Sequence, residues 1–237
     1  MTEEVKKRKV VFCMATLTRP SAPFIAALEE TIPHIVAAGW DEGYVNMIGC
    51  PYISNARATL TRKAFDADAD TIVYLDYDLS WTPESMLKLL SAEGEVVAGT
   101  YRFKKPDAEE YMGTINIDEK NRPIVRDSDG AIWAEWVPAG FLRVDVSAIR
   151  KMMKAFPSLL YGNPDKYSFD LFNHGAYRGL WYGEDYAFSR RWNKIGGQIW
   201  IVPDLDITHH NVTTGAAFPG NYHKFMLRQP GGSEALK

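Results

Sequence analysis

The strongest chemical signal in the sequence is the run Ile72-Val73-Tyr74-Leu75-Asp76-Tyr77-Asp78, where an apolar segment ends in two carboxylates separated by one residue. On an extended strand that spacing puts Asp76 and Asp78 on the same side. Hard oxygen ligands without thiolates suit Mg2+ or Mn2+, ions that keep several waters and also bind substrate phosphates. An isolated Asp-x-Asp reads equally well as a solvated acidic turn, so its meaning depends on its neighbours. Thr16, Thr18 and Arg19 directly follow the apolar run 10–15, at the kind of strand end where a parallel sheet receives nucleotide-sized ligands. Ser54-Asn55-Ala56-Arg57 opens a helical pattern in which Ser54 is a fair N-cap. The helix start offers free N–H groups, and Arg57, one turn in, can grip a phosphate bidentately. The same four residues also fit a capped surface helix.

Two further groups lie downstream. Trp181-Tyr182-Gly183-Glu184-Asp185 sets two carboxylates in the first turn of a helix, where the dipole tolerates them. Ordinary capping accounts for them; so does a role in which one takes a proton from a sugar hydroxyl while Trp181 and Tyr182 offer flat faces to a pyranose ring. His209 and His210 follow the last apolar strand, where a histidine is either structural or a third metal ligand.

These residues need elements to hold them. Short apolar or β-branched runs at 10–15, 44–48, 71–75, 95–100 and 198–202 read as strands. Helical spacing recurs at 24–36, 54–65, after Pro83, at 146–156 and at 184–195. Strands alternating with helices over the first hundred residues predict an α/β fold: a Rossmann-like, mostly parallel sheet flanked by helices, with ligands beyond the carboxyl ends of the strands. Residues 111–117, 124–126 and 131–137 predict a small antiparallel insertion, with a hairpin turn at 127–130. Residues 1–212 read as one domain, and 213–237, rich in Gly, Pro and polar residues, as an extended or partly mobile C-terminal tail.

Composition narrows the function classes. The 237 residues are 46% hydrophobic and 24% charged with a net charge of −3, which fits a folded globular chain and argues against bulk nucleic acid as a partner. Two cysteines are too few for a disulfide scaffold or a Cys-based zinc site. No apolar run approaches the roughly 18–20 residues of a membrane span, and residues 1–9 are charged without the apolar stretch of a signal peptide. The expectation is a cytoplasmic protein of a bacterial or phage-infected cell with no transmembrane segment. Neither Gly-x-Gly-x-x-Gly nor Gly-x-x-x-x-Gly-Lys-Ser/Thr occurs, which removes support for dinucleotide and P-loop readings.

In their order and spacing from about residue 10 to 210, these pieces resemble the nucleotide-sugar glycosyltransferases of the GT-A fold, particularly compact bacterial and phage-type members. The residues carrying the likeness are 15–20, Ser54 with Arg57, Asp76-Tyr77-Asp78, Pro138-Ala139-Gly140-Phe141, Gly183-Glu184-Asp185 and the histidines. The chain departs from the family at Asn211, where relatives often carry Gly after the histidine. The resemblance implies a GT-A-like fold and transfer of a hexosyl group from a UDP- or GDP-sugar to a carbohydrate or other hydroxyl acceptor. It implies Mn2+ or Mg2+ held by Asp76, Asp78 and His209, with His210 as the alternative. Thr16, Thr18, Arg19, Ser54, Arg57, Asp76, Tyr77, Asp78 and Gly140 would contact the donor. Asp185 would deprotonate the acceptor if the reaction inverts configuration, with Glu184 positioning donor or acceptor. Two rivals stand beside it: a metal-dependent nucleotidyltransferase or phosphohydrolase, and a noncatalytic carbohydrate-binding module using Trp81, Trp133, Trp136 and Trp181.

Overall fold

The computed structural model of the chain describes residues 7–164, 166–229 and 232. Most of the charged N-terminal stretch and the last part of the expected tail, 230–231 and 233–237, lie outside the described residues.

The first half alternates as expected. β1 (Lys9–Thr16), α1 (Ala22–Ala37), β2 (Asp41–Ile48), α2 (Ile53–Asp66) and β3 (Thr71–Asp76) follow one another. They are followed by β4 (Leu79–Trp81), α3 (Pro83–Ser91) and β5 (Val96–Ala98). β1 and β3 are almost wholly buried, as expected of strands covered on both faces, whereas β2 alternates exposed and half-buried residues as an edge. Helix starts are set by local chemistry: Ser21 Oγ accepts from Phe24 N–H at 3.3 Å, and Thr82 Oγ1 from Ser85 N–H at 3.2 Å. The second half contains β6 (Thr114–Ile115), β7 (Ile132–Trp136), β8 (Phe141–Asp145), α4 (Val146–Ala155), β9 (Leu160–Tyr161) and β10 (Ser168–Phe169). After these come β11 (Gly175–Tyr177), β12 (Leu180–Tyr182), α5 (Glu184–Lys194), β13 (Ile199–Ile201), β14 (Ile207–His210), β15 (Ala217–Gly220) and α6 (Tyr222–Arg228).

The main sheet has eight strands in the order β2-β1-β3-β8-β5-β13-β7-β6. Six of the eight strands share one direction and only β8 and β7 run against it, so the sheet is mixed, with parallel pairing at β2-β1-β3 and β5-β13 and antiparallel pairing where β8 and β7 intervene. α2, α4 and α5 pack on one face through Leu60, Ile149, Met152, Phe188 and Trp192. α1 and α3 cover the other through Phe24, Ile35, Met86 and Leu89. A smaller antiparallel sheet, β15-β14-β4, is entered at Leu79, after the two-residue turn Tyr77-Asp78 that follows β3. This is the α/β architecture, a sheet flanked by helices on both faces, that the alternation of strands and helices predicted.

Four details differ from the sequence reading. β8 was not expected; its central Arg143 interrupts the apolar pattern. The expected strand at 124–126 is reduced to a single bridge, Val125 to Ile132. α2 begins at Ile53 with Tyr52 in the cap position, so Ser54 lies inside the first turn rather than capping it. Within the segment read as a tail, β15 pairs with β14 and α6 packs its Met226 against the core. Among the described residues, no helix is long and apolar enough to cross a membrane.

Candidate active site

The carboxylates of the Asp-x-Asp segment emerge where β3 ends, with Asp76 the last strand residue and Asp78 in the turn into β4. They do not converge on one point. Asp76 Oδ1 accepts from Arg57 Nη2 at 3.0 Å and Oδ2 from the Tyr101 hydroxyl at 3.1 Å. Arg57 is only 4% exposed, lies over the Phe172 ring and also pairs with Glu184. One guanidinium thus ties α2, β3 and the start of α5 together. Burial works against its charge, but Asp76 and Glu184 outweigh that and push its pKa up, so Arg57 stays protonated.

Gly140 makes the Asp76 arrangement possible. A Cβ at this position would meet Asp76 Oδ2 and the Tyr101 hydroxyl at 2.2 Å each, while the Gly140 carbonyl accepts from Asp76 N–H at 2.9 Å. Burial, then the neighbouring Asp76 charge, raises the Tyr101 pKa well above its usual value, which keeps the phenol a donor.

Asp78 faces the other way. It pairs with Lys104, and its Oδ2 lies 3.6 Å from His209 Nε2. His209 Nδ1 is 2.8 Å from the Arg102 carbonyl, which can only accept, so Nδ1 carries a proton and Nε2 is the nitrogen turned to Asp78. The Tyr101 ring packs edge-on against His209 at 5.1 Å. Burial raises the proton affinity of Asp78, but His209 and Lys104 outweigh it and hold the carboxyl below the usual range. His210 points elsewhere: its backbone N–H donates to the Asp78 carbonyl at 2.8 Å and its Nε2 lies 2.7 Å from Ser80 Oγ. Among the described residues, no three His, Cys, Asp or Glu side chains gather as a metal shell. The convergent pair is Asp78 with His209.

Glu184 and Asp185 occupy the first turn of α5, as the sequence indicated. Asp185 Oδ1 accepts from Tyr186 N–H at 2.7 Å. Burial first, then Glu184, raise the Asp185 pKa above the ordinary carboxylate value. Ser54 is buried on the Arg57 side of α2. Thr16 is buried at the end of β1, its Oγ1 3.4 Å from Thr18 N. Thr18, Arg19, Tyr77, His210 and Asn211 line a cleft of about 640 Å3 between the β1–α1 loop and the turn after β14. A cavity of about 680 Å3 near Gly94, Gln198 and Trp200 sits at the opposite strand ends, away from these carboxylates. Of the four tryptophans suited to a carbohydrate-binding surface, Trp81 is buried and donates to Thr31 Oγ1 at 3.0 Å, whereas Trp181 is 73% exposed.

Sequence reasoning missed Tyr101 and Lys104. Both follow β5, whose carboxyl end opens on the same side as that of β3, so polar residues directly after the fourth predicted strand were the available signal.

No protein-family model and no curated protein matches the sequence. Among solved structures the chain is similar to A197 from STIV, at 16% identity and TM-score 0.52, covering 90% of this chain and 94% of that one. That likeness shows a shared fold. A mutant Drosophila galactosyltransferase 7 complexed with manganese, UDP-Gal and xylobiose aligns at 13% identity and TM-score 0.43, covering 96% of this chain and 73% of that one. Mannose-1-phosphate geranyltransferase from Thermus thermophilus aligns at 15% identity and TM-score 0.40, over 62% and 60%. Overlaps this loose carry no functional argument.

Proposed function

We propose that the chain is a glycosyltransferase that moves a hexosyl group from a UDP- or GDP-sugar to an acceptor hydroxyl with the help of Mn2+ or Mg2+. The observation that carries this reading is the approach of Asp78 Oδ2 and His209 Nε2 to 3.6 Å. A carboxylate oxygen and an imidazole nitrogen at that spacing suit two adjacent coordination positions on a divalent ion. Charge supports the same reading: Arg57 and Lys104 are the cations among four carboxylates, Asp76, Asp78, Glu184 and Asp185. That leaves an excess of negative charge a divalent ion would balance. When bound, the ion would stabilise charge on the departing nucleoside diphosphate.

The remaining roles belong to the chain itself. Arg57, pinned by Asp76 and Glu184, fixes the start of α5 relative to β3 and so sets where Asp185 stands. Preorganised charge of this kind needs no rearrangement as the glycosidic bond breaks. Asp185, with its proton affinity raised by burial and Glu184, is suited to take the acceptor hydroxyl proton near neutral pH. Glu184 orients Arg57 and thereby the donor side of the cleft. Thr18, Arg19 and Tyr77 offer hydrogen bonds and one charge to the nucleoside and phosphates, with buried Thr16 holding the Thr18 backbone behind them, and exposed Trp181 a flat face to the acceptor sugar.

The test is release of nucleoside diphosphate from a panel of UDP- and GDP-sugars, with Mn2+, with chelator, and with Asp78→Asn. Release from at least one donor, falling about 100-fold or more with chelator and in the variant, is the expected result. Turnover indifferent to both would overturn the assignment.

A further inference from the structure

The Asp78 carboxylate, only 9% exposed, is paired with the Lys104 ammonium on the oxygen that faces His209. A carboxylate this buried costs several kcal/mol unless a cation stays with it. Lys104 has no other ion-pair or hydrogen-bond partner among the described residues, in contrast to Arg57, which is held at two points. Its side chain is 29% exposed. It also sits in an irregular stretch between β5 and β6, anchored by the bridge between Arg102 and Tyr111. The ammonium can therefore leave for solvent by side-chain rotation alone, while Asp78 and His209 stay in place. A divalent ion would claim the same carboxylate oxygen.

We infer that Lys104 is a resident counter-cation of Asp78 that a divalent ion must displace, and that its release couples ion binding to binding of the nucleoside diphosphate. This rests on the proposed Asp78–His209 ion site. In the ion-free chain Lys104 neutralises Asp78 and keeps it aimed at His209. An ion arriving alone must strand the ammonium without a partner. An ion arriving with a diphosphate gives Lys104 new oxygens to pair with, so the two ligands favour each other by a shared coupling factor. Lys104 acts in this as a positioning residue.

The experiment measures Mn2+ binding from the electron paramagnetic resonance signal of the free aqueous ion, with and without UDP, on the full chain. Lys104→Met keeps the stem and removes the charge; Lys104→Arg keeps a cation. Lys104→Met should bind Mn2+ alone about 10-fold tighter than wild type, with the tightening produced by UDP reduced by a similar factor. Lys104→Arg should stay close to wild type. Equal or weaker Mn2+ binding by Lys104→Met, with unchanged coupling, would overturn the inference. Asp78→Asn tells the two failures apart. If it abolishes Mn2+ binding while Lys104→Met behaves as wild type, only the role of Lys104 falls. If it leaves Mn2+ binding intact, the ion site itself falls.

Discussion

Asp185 is the residue whose surroundings make the most specific demand on solution behaviour. Burial and the adjacent Glu184 raise its pKa above the ordinary carboxylate value. As the proposed base it must be deprotonated to act, so kcat/KM should rise with pH through a limb lying above the ordinary aspartate range and level off once Asp185 is ionised. Asp185→Asn should lower kcat about 100- to 10,000-fold and remove that limb. A variant retaining both rate and limb would assign the base elsewhere. At this scale the sequence exposed the chemistry-bearing types well: Asp76, Asp78, Arg57, Glu184 and His209 all lie at carboxyl strand ends or helix starts that ring one region. It did not reveal their pairing. Strand alternation put Asp76 and Asp78 on one side, but β3 ends at Asp76, and the turn through Tyr77 sends Asp78 towards His209 instead. The Tyr101 and Lys104 partners arrive along an irregular segment, and no spacing rule says where such a segment returns.

β8 shows how an element can be hidden by one residue. Phe141, Leu142 and Val144 are core residues, yet Arg143 between them reads as polar and breaks the apolar run. The structure explains it: buried Arg143 donates from Nη1 to the carbonyls of Leu90 at 3.1 Å and Ala92 at 2.8 Å, and Nη2 pairs with the Gly94 carbonyl. It satisfies the carbonyls at the C-terminus of α3, which otherwise lack partners. Arg143→Met should therefore destabilise the fold by about 2–3 kcal/mol. Denaturant melts should show a lower midpoint with an unchanged slope, and an unaltered midpoint would remove this capping role. Elements with clean periodicity were readable, as at α1, α3 and α5, because their buried faces recur at helical spacing. β15 was not, since Pro219, with Gly215 before the strand and Gly220 at its end, resembles loop; the strand tolerates proline because it lies at the edge of the small sheet.

At the scale of the molecule, the small sheet joins the C-terminal segment to the site. β14 carries His209 between β4, which follows Asp78, and β15, where Phe218 lies opposite His209. A chain ending at residue 212 loses β15 and α6, and so one of the two strands that hold β14. It should melt at lower temperature than a chain ending at residue 229, and bind Mn2+ with UDP more weakly; equal behaviour of the two would make residues 213–229 dispensable. The α/β class was readable from alternation alone, because each helix must return over the sheet before the next strand. The central claim is that Asp78 and His209 together hold a divalent ion shared with a nucleoside diphosphate. Its most direct test is a crystal soaked with Mn2+ and UDP, with anomalous scattering collected at the manganese edge. The account predicts an anomalous peak in contact with Asp78 and His209 Nε2 and bridged to the diphosphate. Ordered diphosphate with no manganese against these two side chains would contradict it.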